Sequence, residues 1–268
     1  MIATLRALLL AAVGAVALSA SAVAQTPLDQ GLAAYDRGDY ATALRLLPPL
    51  AELGDKVAQY ALGIMYGNGQ GVPENDAEAV KWFRLSAEAG FAPAQLRLGV
   101  MYYQGTGMPQ DHAEAAKWYR LAAEQGNQSA QLLLGLLYES GEGVPQNYAE
   151  AVRWYRMAAG QGEARAQLKL GFMYEEGQGV PQNLAEAVKW FRLAADQGLE
   201  GAQVVLGAMY GRGEGVPQND VEAYKWFSLA AAQGNGEAAK VRDIVRGIMT
   251  PAQIAEGQKL AAEWKPTK

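Results

Sequence analysis

A chain of 268 residues, 50% hydrophobic and 19% charged, buries a sizeable core and does not belong with disordered proteins. With no cysteine and a single histidine, His112, it has no disulfide, thiolate metal site, cysteine nucleophile or histidine-rich zinc site. A formal charge of −5 argues against nucleic acid as a partner, because phosphate binding needs a basic surface.

The chain opens with Arg6, an apolar stretch from Ala7 to Leu18, and a small-residue run from Ser19 to Ala24. Ala22 and Ala24 stand where a signal peptidase prefers small side chains. Residues 1–24 are therefore expected to form a secretory signal peptide, with cleavage after Ala24 and delivery to the periplasm or outside the cell. The apolar stretch falls short of the roughly 20 residues that cross a bilayer, and no other long apolar run follows. No stable membrane insertion is expected after cleavage. Losing Arg6 makes the remainder one charge more acidic. In an oxidising compartment a chain without cysteine relies on packing alone.

Residues 25–55 read as an N-terminal capping helical pair, with Ala33, Tyr35, Tyr40, Ala43 and Leu46 apolar and a turn at Gly38-Asp39. Pro48 and Pro49 are expected to interrupt the second helix or limit its length. A repeat then begins. Trp82, Trp118, Trp154, Trp190 and Trp226 recur at a fixed spacing, as do Gly63, Gly99, Gly135, Gly171 and Gly207, and Pro73, Pro109, Pro145, Pro181 and Pro217. The units are 56–91, 92–127, 128–163, 164–199 and 200–235. Such a period marks a solenoid whose units bury a face only by stacking.

Each unit reads as helix, loop, helix. The first helix, for example Lys56 to Tyr66, carries Ala58, Leu62, Met65 and Tyr66 at helical spacing. Gly69, Gly71 and Pro73 make the loop. Asn75 with Glu78, and the pairs Asp111/Glu114, Asn147/Glu150, Asn183/Glu186 and Asn219/Glu222, resemble capping boxes. The second helix aligns Ala79, Trp82, Phe83 and Ala87 and ends at Gly90 or its equivalents. Residues 236–268 read as C-terminal capping helices. One covers 236–247; another is opened by Thr250 and Pro251 and ends near Trp264.

The pattern A-x-x-L-G-x-M-Y-x-x-G-x-G-V-P-x-N-x-x-E-A-x-K-W resembles the Sel-one-like repeat (SLR), an α/α relative of the tetratricopeptide repeat. Met108 replaces the loop valine, Leu137 the methionine, and Ser228 an arginine. The resemblance implies an all-α fold, a right-handed superhelical α/α solenoid of helix-turn-helix repeats. It also implies that the first helix of each unit lines a concave surface.

Most candidate motifs have structural explanations. The G-x-G loops follow no strand and lack a Lys-Ser/Thr pair, so they read as turns rather than phosphate cradles. Glu78 and Lys81, with their counterparts, read as surface ion pairs at i, i+3. The tryptophans read as core packing rather than a glycan ladder. His112 reads as an exposed first-turn residue, and Arg37-Gly38-Asp39 as a turn rather than an adhesion tripeptide.

One stripe on the first helices varies while the other faces stay constant. It holds Val57, Ala61, Ile64 and Asn68 in the first unit, and Pro93, Arg97, Val100 and Gln104 in the second. Ser129, Leu133, Leu136 and Ser140 follow, then Arg165, Lys169, Phe172 and Glu176, then Gly201, Val205, Ala208 and Arg212. Four cations against one carboxylate, on an apolar floor, suit an anionic or amphipathic protein or peptide. The residues expected to bind it are Arg97, Val100, Gln104, Leu133, Leu136, Ser140, Lys169, Phe172, Glu176 and Arg212.

The expectation is an exported, monomeric scaffold that holds a protein or peptide in a preorganised groove, in cell-envelope or host-contact processes. It would have no catalytic residue, cofactor or metal. A secreted, cysteine-rich branch of the same repeat class is associated with penicillin binding and β-lactamase activity. This chain has none of those cysteines and no S-x-x-K motif. Binding of cell-wall glycan is the other alternative.

Overall fold

A computed structural model describes residues 26–267. The expected signal peptide lies outside the described residues. Within them the chain is all-helical, with fourteen helices and no strand.

The helices fall into two compact units divided after Gln125. The first unit contains α1 (Pro27–Asp36), α2 (Tyr40–Glu52), α3 (Lys56–Gly67), α4 (Asp76–Glu88), α5 (Ala92–Gln104) and α6 (His112–Glu124). The second contains α7 (Gln128–Ser140), α8 (Tyr148–Gly160), α9 (Ala164–Glu176), α10 (Leu184–Asp196), α11 (Glu200–Arg212), α12 (Asp220–Ala232), α13 (Gly236–Ile248) and α14 (Pro251–Glu263). Within each unit each helix packs on the next as far as α13, giving a stack of helical hairpins, and α14 packs on α12 instead.

Small residues set the hairpin. A Cβ on Gly63 would stand 2.6 Å from the Phe83 ring, and one on Gly99 2.6 Å from the Tyr119 ring. Each first helix therefore lies directly on an aromatic ring of its partner helix. Gly135 with Tyr155, Gly171 with Phe191 and Gly207 with Phe227 repeat the arrangement. These rings are almost fully buried, each worth about 2–3 kcal/mol of transfer free energy. The tryptophan one residue earlier is less central. Trp154 and Trp226 are buried, whereas Trp82, Trp118 and Trp190 are half-buried against the edges of their clusters.

The second loop glycine has a packing role besides its turn. Gly107 adopts φ 69°, and a Cβ there would meet the Asp76 carbonyl oxygen of the preceding repeat at 2.6 Å. The loop of one repeat thus rests on the first turn of the second helix before it.

Buried glutamines tie successive repeats together. In the first unit the side-chain amides of Gln59 and Gln95 donate to Ala51 O (3.0 Å) and Ala87 O (3.1 Å), which end the preceding hairpins. Gln167 and Gln203 do the same to Ala159 O and Ala195 O in the second unit. The remaining oxygen of Gln95 accepts from Gln125 at 2.7 Å, and those of Gln131, Gln167 and Gln203 from Gln161, Gln197 and Gln233. These bonds satisfy polar groups that are costly when buried unpaired.

Several expectations need correction. Pro48 and Pro49 lie inside α2, which runs through both to Glu52. Proline's φ near −65° is itself helical, and buried Leu47 and Ala51 hold the segment against the core. The repeat capping boxes are only half formed. Asn75 accepts from Glu78 N at 3.1 Å, as its counterparts do, but the glutamates turn to the cations three residues on. Glu114–Lys117 (2.5 Å), Glu150–Arg153 (3.2 Å) and Glu186–Lys189 (3.0 Å) are such pairs. Complete boxes form at Thr26/Asp29 and Thr250/Gln253. His112 is half-buried rather than exposed, because its ring stacks on Tyr103 with centroids 4.6 Å apart.

The C-terminal helices close the second unit. α14 packs on α12, where a Cβ on Gly257 would stand 2.7 Å from the Tyr224 ring. The tail continues across the α10–α11 turn, and Thr267 N donates to Asp196 O at 2.8 Å. Ser228 replaces arginine on this covered helix, where its hydroxyl donates to Tyr224 O. Leu229 is only 9% exposed, whereas the equivalent Leu193 in the same unit is 47% exposed.

Candidate functional site

The stripe positions differ in depth. The middle positions are half-buried: Ile64 and Val100 in the first unit, and Leu133, Leu136, Lys169, Phe172, Val205 and Ala208 in the second. Ala61 is fully buried and offers nothing to a partner. Asn68, Arg97 and Gln104 in the first unit, and Ser129, Ser140, Arg165, Glu176 and Arg212 in the second, are exposed. Phe172 meets the Phe191 ring edge-on at 5.0 Å, so its ring is partly committed to the core.

The charges are less available than the sequence alone suggests. Lys169 Nζ lies 2.8 Å from Glu139 Oε1, and Arg212 lies 2.7 Å from Glu214. Neither acid belongs to the stripe. Glu139 also accepts from the Tyr155 hydroxyl, and burial with that carboxylate raises the phenol's pKa well above its ordinary value. Burial and the adjacent Glu176 raise Glu175, with Arg212 opposing them. The second unit's stripe thus carries local neutralisation around Lys169 and Arg212.

Arg97 differs: it has no ion-pair partner among the described residues. Burial raises the pKa of Tyr60, a neighbour, and the Arg97 charge works against that shift. The cause of the open cation lies thirty residues back. Lys169 finds Glu139 at that spacing; Arg97 finds Gly67, which has no side chain.

This gap opens into a cleft of about 160 Å³ within the first unit. Ile64, Phe83, Val100 and Met101 form its apolar wall, and Asn68, Asp76, Arg97 and Gln104 its polar rim. Three of the expected binding residues, Arg97, Val100 and Gln104, meet here. The column Gly67, Tyr103, Glu139, Glu175 and Gly211 was missed because it lies beside the chosen stripe; its own variability was the available signal.

Among the described residues, no three His, Cys, Asp or Glu side chains converge as a metal site. No helix there is long and apolar enough to cross a membrane.

This is the architecture of an α-helical hairpin-repeat protein whose constant glycines, aromatic rings and glutamines pack between its helices. The Sel1 repeat model matches residues 56–91, 92–127, 128–163, 164–199 and 201–235, and the chain belongs to the Sel1 repeat family. Its fold matches a crystallised Sel1 repeat protein from Oxalobacter formigenes at TM-score 0.75 and 34% identity, covering 91% of this chain and 99% of that one. A protective antigen present in uropathogenic Escherichia coli strains, displaying an SLR fold, matches at TM-score 0.79 and 38% identity over 89% of this chain. The match spans about half of that antigen, 54% of its length. An F-box protein of Arabidopsis thaliana is 43% identical over 60 residues, 22% of this chain and 16% of that protein. Sel1 repeats generally mediate protein–protein interaction and are generally non-enzymatic scaffolds, and this fold is consistent with both.

Proposed function

We infer that this chain is an exported scaffold that binds a protein or peptide through the variable positions of its first helices and performs no chemistry. The observation that carries this reading is a division of labour among the repeats. Constant positions are consumed by packing: glycine on aromatic ring, glutamine on carbonyl, asparagine on helix end. Within each unit the variable positions other than Ala61 stand half-buried or exposed, as in surfaces that adapt to a partner.

The leader-like residues 1–24 support export, to the periplasm or beyond, in an envelope or host-contact role. The scaffold works as a monomer, and an anionic partner segment suits the open cation Arg97 best.

The test is quantitative capture from envelope extract on the immobilised full chain and on Arg97→Glu. The expected result is selective loss of a captured protein, with an unchanged melting temperature. Identical captured sets would refute the assignment of the partner surface.

A further inference from the structure

We propose that the cleft of the first unit is a subsite for the carboxyl-terminal residue of a peptide, with an aromatic side chain in the slot and the terminal carboxylate on Arg97. This rests on the reading of the variable first-helix positions as the partner-binding face, and it specifies one end of that partner.

The molecule contains both halves of the recognition at equivalent positions. Where the cleft has Gly67 and Asp76, the second repeat has Tyr103 and His112, stacked at 4.6 Å. A ring at this place is therefore compatible with the hairpin, and its absence in the first repeat leaves the volume empty. About 160 Å³ suits one six-membered ring, since a cavity of roughly 150 Å³ accepts benzene.

The charge has a counterpart as well. Two repeats further on, Glu139 stands at the Gly67 position and contacts Lys169, which occupies the Arg97 position, at 2.8 Å. A carboxylate is what this geometry places against the cation, and among the described residues no carboxylate, Asp76 included, lies within ion-pair distance of Arg97. A guanidinium binds a carboxylate with two parallel hydrogen bonds. Asp76, also on the rim, disfavours a second negative charge on the ligand, so a terminal phenylalanine is preferred over a terminal glutamate.

The test uses the full chain and the N-acetylated peptide Gly-Ser-Gly-Phe with a free carboxylate, its carboxamide, and the same peptide ending in glutamate. Binding is followed by methyl NMR shifts of Ile64 and Val100. The expected result is saturable binding of the free acid, with Kd below about 1 mM. The carboxamide and the glutamate peptide should bind about tenfold more weakly. Arg97→Gln should reduce the free acid to the level of the carboxamide. Gly67→Glu, which supplies Arg97 with an internal carboxylate, should lose binding and keep its thermal melt. Gly67 leaves room for a Cβ, its nearest neighbour being Ala79 Cβ at 3.4 Å.

Equal binding of acid and carboxamide, undiminished binding to Arg97→Gln, or no binding of the acid at 5-fold above that Kd limit would overturn the subsite. If the peptides fail while Arg97→Glu still loses its captured protein, the subsite falls and the partner surface stands. If the peptides bind as described and capture ignores Arg97→Glu, the subsite stands and the wider reading falls.

Discussion

The first and second repeats share a backbone plan and differ at three positions that matter. Gly67, Asp76 and Ala89 in the first correspond to Tyr103, His112 and Gln125 in the second. The second repeat is the more completely satisfied. Its Tyr103 and His112 rings stack, and Gln125 donates to the oxygen of Gln95. In the first repeat Gly67 and Asp76 stand in place of that ring pair, and Gln59 Oε1 is buried without a partner among the described residues. Identical folds thus tolerate incomplete packing where the energetic loss is small, and such places are where a ligand can be accommodated.

The largest effect tests what the two repeats have in common. Gly63→Ala and Gly99→Ala each drive a methyl group into an aromatic ring at 2.6 Å. Both rings are buried and cannot move aside freely, so each variant is expected to lose about 2–3 kcal/mol in urea denaturation. Similar losses would show that the hairpin is equally tight in both repeats. A much smaller loss for Gly63→Ala would show that the neighbouring cleft absorbs the strain.

The glutamine ladder gives the next effect, in two directions. Gln125→Ala removes the donor to Gln95 and makes the second repeat resemble the first, at an expected cost of about 1–2 kcal/mol. Ala89→Gln makes the reverse change. Ala89 has φ −73° and ψ 7°, close to the −81° and 5° of Gln125, so the backbone already suits the longer side chain. The new bond to Gln59 Oε1, reduced by the ordering of the added side chain, should raise stability by about 0.5–1 kcal/mol. An unchanged midpoint would mean that solvent already satisfies that oxygen.

Periodicity made the fold legible. Five in-phase copies of glycine, proline and tryptophan define the helical hairpins, and the family resemblance covers the same residues. The site was only partly legible, because a repeat pattern ranks residues by constancy and says little about contacts between repeats. Tryptophan stood out by rarity, yet the following Phe83 or Tyr119 fills the deeper position against glycine. Lys169 looked open because Glu139 lies thirty residues away and off the stripe. Pro48 and Pro49 looked like breakers because their lost amide bonds can be read from sequence, whereas the packing that retains the helix cannot.

The smallest effect separates the two cations that sequence treats alike. Lys169 and Glu139 are 35% and 25% exposed, so their pair is partly desolvated and less screened than a surface pair. Lys169→Ala should cost about 0.5–1 kcal/mol, in part because Glu139 loses the cation beside it. Arg97→Ala removes an exposed side chain with no ion pair among the described residues, and should change stability by less than about 0.5 kcal/mol. Urea midpoints measured at about 50 and 500 mM salt, each roughly a factor of three from the ionic strength at which screening reaches about 8 Å, make the distinction sharper. The Lys169 penalty should shrink with salt, while the Arg97 variant stays at wild type throughout. A salt-dependent loss for Arg97→Ala would mean that it is already neutralised within the chain, leaving no open charge at the cleft.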